Sequence, residues 1–377
     1  PALLVGGSIL LALSAPIFGM RLGFSDEGNF PEETTTKQAY DLVAEGFGDG
    51  ANGPFVLAVE TNSPDDILVV EELAEVAAAT EGVVAVAGPV GNDAANPEAS
   101  EAFLIQIIPE GAPQDEATED TVLRLRASID EVVDGTDVTA NLTGSVPAFI
   151  DFADYLGGRN LVFFGVVLLV SFLLLMMVFR SVLVPIKAVI MNVLSISAAF
   201  GAVVLIFQRG WFGLAESAPI EPFIPMMLFA IVFGLSMDYE VFLLSRIKEE
   251  YDRTGDAANS VADGLAATAR VITAAAAIMV VVFGAFLLEE NRIVQLFGTG
   301  LALAVLLDAT LVRMLLVPAT MELLGSRNWW LPGWLDRILP TLNVEGDALR
   351  ELHGDLDVPD ETAVDEDRVP VGTASGG

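Results

Sequence analysis

Residues 161–179 read LVFFGVVLLVSFLLLMMVF, and this stretch decides the architecture. It carries no charged residue, and at 1.5 Å per residue a helix of this length covers roughly 30 Å of hydrocarbon. Five more apolar runs of similar length flank it. The spacing predicts membrane helices at 2–20, 160–179, 184–207, 222–245, 270–288 and 294–318. One long gap, 21–158, is polar and rich in Asp and Glu. The fold class is therefore an α-helical membrane protein with six transmembrane helices and one large domain inserted between the first and second.

Composition narrows the function classes. Of 377 residues, 53% are hydrophobic, bunched rather than dispersed, and the net charge is −34. Nucleic acid is excluded as a partner, because phosphate binding needs clustered Lys and Arg. There is no cysteine, and the single histidine, His353, sits in a polar tail, so thiolate or histidine metal chemistry is excluded too. Only Lys37, Lys187 and Lys248 are lysines. An acidic, lysine-poor surface fits a salt-adapted source, where screening tolerates self-repulsion, or a GC-rich genome. The chain starts at Pro1 with no basic region before its first apolar run. That run reads as a helix with its upstream flank missing, not as a signal peptide.

Basic residues near helix ends orient the chain. With helix one running outward, the inner segments hold Arg180, Lys187, Arg246, Lys248, Arg253, Arg270, Arg313 and Arg327, and the outer loops hold Arg209 and Arg292. Both termini are then cytoplasmic in a cell membrane, and 21–158 lies outside. The outer segment reads β-α-β-β-α-β. Strands are expected at Pro54–Glu60, Gly82–Ala87, Ala102–Ile108 and Asp137–Thr143. Helices are expected from Ser63 to Thr80 and from Asp115 to Val133, with a turn-rich loop over Asn92–Ala99. That order is the split βαβ, or ferredoxin-like, motif. Its acids are spread like a solvated surface. Trp329, Trp330 and Trp334 mark 321–340 as an interfacial amphipathic segment. The acidic, apolar-poor stretch 341–377 reads as a disordered cytoplasmic tail.

Charges inside the apolar runs carry the chemistry. A carboxylate at mid-bilayer costs roughly 2.5–3.5 kcal/mol on insertion scales. Two acids lie within predicted spans: Asp238 in FAIVFGLSMDYEVFLLSRIKEE and Asp308 in GLALAVLLDATLVRMLLVPA. Gly234, one turn before Asp238, leaves room for another helix. Tyr239 adjoins the acid, about 100° round the helix. A carboxylate beside a phenol, met by the same pair on another helix, makes a crossed hydrogen-bonded arrangement suited to taking up and releasing protons. Glu240 is read as belonging to the inner water interface near Arg246 and Lys248. Asp308 reads equally as a relay member or as an ion pair with Arg313. Asn192, Ser195 and Thr273 read as helix-packing polar groups. No enzyme active site, cofactor or metal motif is expected.

Several of these stretches resemble the MMPL group of the resistance–nodulation–division (RND) superfamily. They are GLSMDYEVFLLSRIKEEY (234–251), RVITAAAAIMVVVFGAF (270–286) and GLALAVLLDATLVRMLLVPATMELLGSRNWWLPGWLDR (300–337). VPIKAVIMNVLSISAAFG (184–201) and TGSVPAFIDFADYL (143–156) agree with them. The resemblance implies two six-helix repeats, each with an outer porter domain between its first and second helices. It implies proton-driven export of lipids or other hydrophobic compounds, with an Asp-Tyr dipeptide in the fourth helix of each repeat as the proton relay. Here that dipeptide is Asp238-Tyr239. Only one repeat is present, matching the C-terminal one. The resemblance thus implies either a missing N-terminal repeat or a second copy of the chain as partner. Two other readings stay open: a non-transporting assembly or translocation partner, and a sterol-sensing-type receptor domain.

Overall fold

A computed structural model describes residues 1–93 and 100–340. Residues 94–99 of the expected loop over Asn92–Ala99, the acidic tail from Thr341 and His353 lie outside the described residues. The described residues are mostly helical, and among them six helices are long and apolar enough to cross a membrane: Ala2–Gly19, Ser145–Phe179, Leu183–Gln208, Ile224–Thr254, Ala257–Leu288 and Arg292–Trp329.

Between the first and second of these spans lies a small α/β unit. After α1 (Ala2–Ser14) come α2 (Thr35–Phe47), β1 (Phe55–Glu60), α3 (Ile67–Ala79), β2 (Val83–Gly91), β3 (Ala102–Pro109), α4 (Glu116–Val133) and β4 (Thr139–Gly144). The four strands form one antiparallel sheet of order β2-β3-β1-β4. Alternation puts Phe55, Leu57 and Val59 of β1 and Phe103, Ile105 and Ile107 of β3 on one face. There they pack against Val70, Leu73 and Ala77 of α3 and Val122, Leu125 and Ile129 of α4. Each such large side chain contributes about 1.5–3 kcal/mol by leaving water. Ser63 starts the α3 segment with a capping box closed by Asp66. Helix α2 was not expected; Thr34 caps it by accepting from the Lys37 amide.

The membrane helices then follow: α5 (Ser145–Phe179), α6 (Leu183–Val203), α7 (Ile224–Thr254), α8 (Ala257–Gly284) and α9 (Arg292–Leu307), a π-helical stretch over Asp308–Leu316, and α10 (Val317–Leu324). Several bounds differ from the sequence expectation. The second span begins at Ser145 rather than near Asn160, so the α/β unit has no break at 158. Val146, Phe149, Ile150 and Ala153 explain why: they recur at helical spacing, and Val146 is buried in the core of the α/β unit with Ile150 packed against it. An amphipathic lead-in carries no apolar run to reveal it. Helix α7 continues to Thr254 and α8 starts at Ala257, before Arg270, because a helix does not stop where lipid stops. Gly255 at φ 69 ends the first, and the Asp256 carboxylate caps the second by accepting from the Ala258 and Asn259 amides. The last span also passes 318 and continues as α10 and a 3-10 turn to Trp329, within the stretch expected to be interfacial.

Helices α1 and α6 approach through Gly201, where a Cβ would collide with the Leu13 carbonyl oxygen. Gly300 of α9 likewise admits Leu228 of α7 at 2.7 Å from a Cβ position. Small residues that allow such close approach are the ordinary means of membrane helix association. Gly201→Ala is expected to cost about 1–3 kcal/mol, read as a lower thermal midpoint of the purified protein in detergent.

Candidate functional site

Helix α7 is the element on which the site is built, and it is two-sided. Its exposed stripe runs Met227, Ile231, Gly234, Asp238 and Phe242. Its buried stripe carries Ser236, Glu240, Leu243 and Leu244. Asp238 therefore turns away from the six-helix bundle, and nothing lies within 4 Å of a Cβ at Gly234. Tyr239 turns the other way and is half-buried, with the Arg313 guanidinium 5.0 Å over its ring. Adjacent positions on a helix point about 100° apart, so the dipeptide is split between two surfaces.

Inside the bundle α7 meets the π-helical stretch. Arg313 Nε donates to Asp308 Oδ2 at 2.7 Å, and Arg313 Nη2 lies 2.5 Å from the same oxygen. Arg313 Nη2 also donates to the Ser236 carbonyl oxygen at 2.6 Å. Both partners of this ion pair are buried, Asp308 at 6% and Arg313 at 3% exposure. In an α-helix a residue five places on sits about 140° round the axis, too far for this contact. A π turn closes i→i+5 hydrogen bonds and brings Arg313 back over Asp308. The backbone irregularity is what makes the pair.

From Asp308 a polar chain crosses to α6. The Ser236 hydroxyl lies 3.1 Å from Asp308 Oδ2 and 2.7 Å from Asn192 Oδ1, and the Asn192 amide donates to Glu240 Oε2 at 3.1 Å. Lys187 of α6 is close enough to act on Glu240 electrostatically, without a hydrogen bond between them. Glu240 is 5% and Lys187 6% exposed. This corrects the reading of Glu240 as an interface residue: seen by rise alone it nears the charged end of α7, but its azimuth faces α6. Lys187, counted among the inner loop charges, is buried as well. Ser195 is buried at 1% with no partner for its hydroxyl among the described residues. Thr273 of α8 is exposed and does not join the cluster. Sequence reasoning missed Ser236, Glu240 and Lys187 as site residues. The signal for Lys187 was there, a lone ammonium within the apolar run 183–194.

Tyr239, Ser236, Asp308 and Arg313 line a cavity of about 20 Å³, with Ile272 and Ala276 of α8 also in its wall. That suffices for about one water, and Asp308 Oδ1 and Arg313 Nη1 have no other partner among the described residues. A larger cavity, about 300 Å³, opens where the α/β unit meets the bundle. Phe24, Val146, Phe149 and Ile150 give it an apolar wall, and Arg21, Asp115 and Glu119 a charged one. Among the described residues no group of acids and histidine is placed to hold a metal ion.

Comparison with known proteins agrees in kind. The family model of the MMPL family matches residues 31–340. Membrane protein YdfJ of Bacillus subtilis (strain 168) is 37% identical over 355 residues, covering 93% of this chain and 48% of YdfJ. The mycolic acid-containing lipids exporter MmpL11 of Mycolicibacterium smegmatis is 35% identical over 346 residues, covering 89% of this chain and 36% of MmpL11. The trehalose monomycolate exporter MmpL3 of Mycobacterium tuberculosis is 30% identical, covering 94% of this chain and 37% of MmpL3. The chain thus spans less than half the length of these relatives.

Proposed function

Because the chain belongs to the MMPL family, we propose that it is one six-helix half of a proton-driven exporter of lipids or other hydrophobic compounds. The observation that carries this reading is Asp238 on the outward stripe of α7, between Ile231 and Phe242. A carboxylate facing hydrocarbon costs roughly 2.5–3.5 kcal/mol or more. In the working protein that stripe is covered by protein, either the other repeat or a second copy of this chain, and the open space at Gly234 fits a helix approaching there. A partner helix bearing its own Asp-Tyr pair would complete the crossed arrangement.

The rest of the half has matching roles. The strand order of the outer unit fits a ferredoxin-like porter domain. The cavity of about 300 Å³, apolar on one wall and charged on the other, suits an amphipathic cargo leaving the outer leaflet. With Lys187, Arg313 and Arg292 buried in the bundle, the remaining basic residues still favour both termini on the cytoplasmic side, in a cell membrane. Trp330 and Trp334, both exposed, then anchor the end of the last span at the inner interface. Proton uptake at Asp238 would be felt at Asp308–Arg313 through Tyr239, whose ring lies under the guanidinium.

The test is Asp238→Asn in the full-length natural protein. Export of a labelled lipid from proteoliposomes under an imposed proton gradient should fall at least about 100-fold, with insertion and thermal midpoint unchanged. Export at the native rate would remove Asp238 from the mechanism.

A further inference from the structure

The buried Lys187–Glu240 pair has no part in the arrangement above. A structural ion pair in a low-dielectric interior repays its desolvation only through direct contact and saturated hydrogen bonding. This pair has neither. Lys187 Nζ has no hydrogen-bond partner and Glu240 Oε1 has none, among the described residues, while the other carboxylate oxygen takes a single bond from Asn192. Two charges kept apart and half-saturated are better placed to exchange a proton than to rivet two helices.

Their position gives such a site a direction. Lys187 sits about one turn into α6, just past the corner at 180–182, so it is roughly 6 Å by helical rise from that end of the bundle. Arg246 and Lys248 mark the same end on α7. From Glu240 the hydrogen bonds lead inward through Asn192 and Ser236 to Asp308. The Ser236 hydroxyl has one proton and two acceptors, Asn192 Oδ1 and Asp308 Oδ2. If Asp308 is ionised it competes for that proton; if Asp308 is protonated, Ser236 gives it to Asn192. The orientation of one hydroxyl thus reports the state of Asp308 to the amide that holds Glu240.

We propose that Lys187 and Glu240 form a second proton-binding station, set between Asp308 and the bundle end that carries Arg180 and Lys248. The station holds one exchangeable proton. The ammonium–carboxylate form is neutral overall, and one proton added to the Glu240 carboxylate makes it ammonium–carboxylic acid, with net charge +1. The charged groups facing Glu240 are Lys187 of α6 and Asp308 and Arg313 of the π stretch. Helix α8 packs on α7 but adds none, since Asp263 and Arg270 are exposed. The role as a relay station rests on the exporter reading; the existence of the proton site does not.

The experiment is pH-difference infrared spectroscopy of the full-length protein in lipid nanodiscs, comparing wild type with Glu240→Gln, Lys187→Met and the double variant. The protonated-carboxyl band of the wild type should contain a component that Glu240→Gln removes. Lys187→Met should change the proton concentration at half-titration of that component about tenfold or more. The double variant carries no charge at either position, folds even where the single ones do not, and should lack the same component. A Glu240→Gln or double-variant spectrum identical to wild type, or an unmoved midpoint in Lys187→Met, overturns the proposal. The readout needs no transport, so native export by Asp238→Asn would sink the exporter reading and leave this result standing.

Discussion

Arg292→Ala is expected to destabilise the chain by about 3–5 kcal/mol, the cost of leaving one member of a buried ion pair without its partner. Arg292 is 6% exposed and Glu221 is wholly buried. Arg292 Nη1 donates to Glu221 Oε1 at 2.9 Å. Arg292 Nη2 is shared among the carbonyl oxygens of Phe207, Ala218 and Pro219, at 3.2, 2.9 and 3.0 Å. One guanidinium thus closes the 208–222 loop onto the start of α9. Ser25 donates to the same Glu221 oxygen at 2.6 Å, and Leu22 bridges to Ile220, so the connection from α1 into the α/β unit is tied to that loop as well. Alanine leaves Glu221 with only the Ser25 hydroxyl and takes the guanidinium from three carbonyls, of which Phe207 keeps the Ala218 amide. Lysine keeps the charge but lacks the planar fork, so Arg292→Lys should lose a substantial part of the same stability. Glu221→Gln should lose less, because the carbonyls still receive the cation. Thermal unfolding of the full-length protein in detergent, with the order Ala, Lys, Gln from worst to mildest, checks this. Equal midpoints for Arg292→Ala and wild type would mean the clasp is ornamental.

The clasp shows where sequence reading reached and where it stopped. Hydropathy alone located all six spans, because a window of apolar residues needs no tertiary information. It read Arg292 as a residue of a short loop between spans, whereas the structure puts it at the first position of α9, and the reading said nothing of where the side chain goes. Whether an arginine at a helix start faces water or three inward carbonyls depends on the loop folding over it. The same limit governs α7. Rise along the helix places Asp238 and Glu240 within about 3 Å of each other, so depth in the bilayer cannot separate them. Azimuth does, and azimuth depends on which face of α7 its neighbours cover: Asn192 of α6 meets Glu240, while Asp238 is exposed. Ser236 carried no charge to mark it, yet it joins Asp308 to Asn192. The outer unit was more legible, because alternation and helical spacing assign each residue of a half-buried sheet or helix to a face. Its amphipathic lead-in at 145–158 was not, since it belongs to two environments in one helix.

Asp308 and Arg313 offer the sharpest separation of stability from function. Arg313→Ala leaves an unpaired carboxylate in the bundle, 6% exposed and beside Ser236. The expected loss is again about 3–5 kcal/mol, and on the exporter reading export should vanish with the folded protein. Loss of activity in that variant alone would say nothing about mechanism. The double change Asp308→Leu with Arg313→Met removes both charges at similar volume, and replacement of a buried ion pair by packed apolar groups is often neutral or stabilising by about 1–4 kcal/mol. The double variant should therefore unfold at or above the wild-type midpoint. If the pair only braces the helices, export recovers with stability. If it takes part in proton coupling, a protein as stable as wild type fails to export, and its proton uptake under an imposed gradient falls to the level of empty liposomes. The π stretch favours the second outcome. It trades regular i→i+4 hydrogen bonding over Asp308–Leu316 for a contact that an α-helix would not make, and a mere brace is available at ordinary α-helical spacing without that departure. Asp308 placed four residues from a basic side chain would serve for packing. Five residues and a π turn instead hold the carboxylate between Arg313 and Ser236, open to the cavity shared with Tyr239.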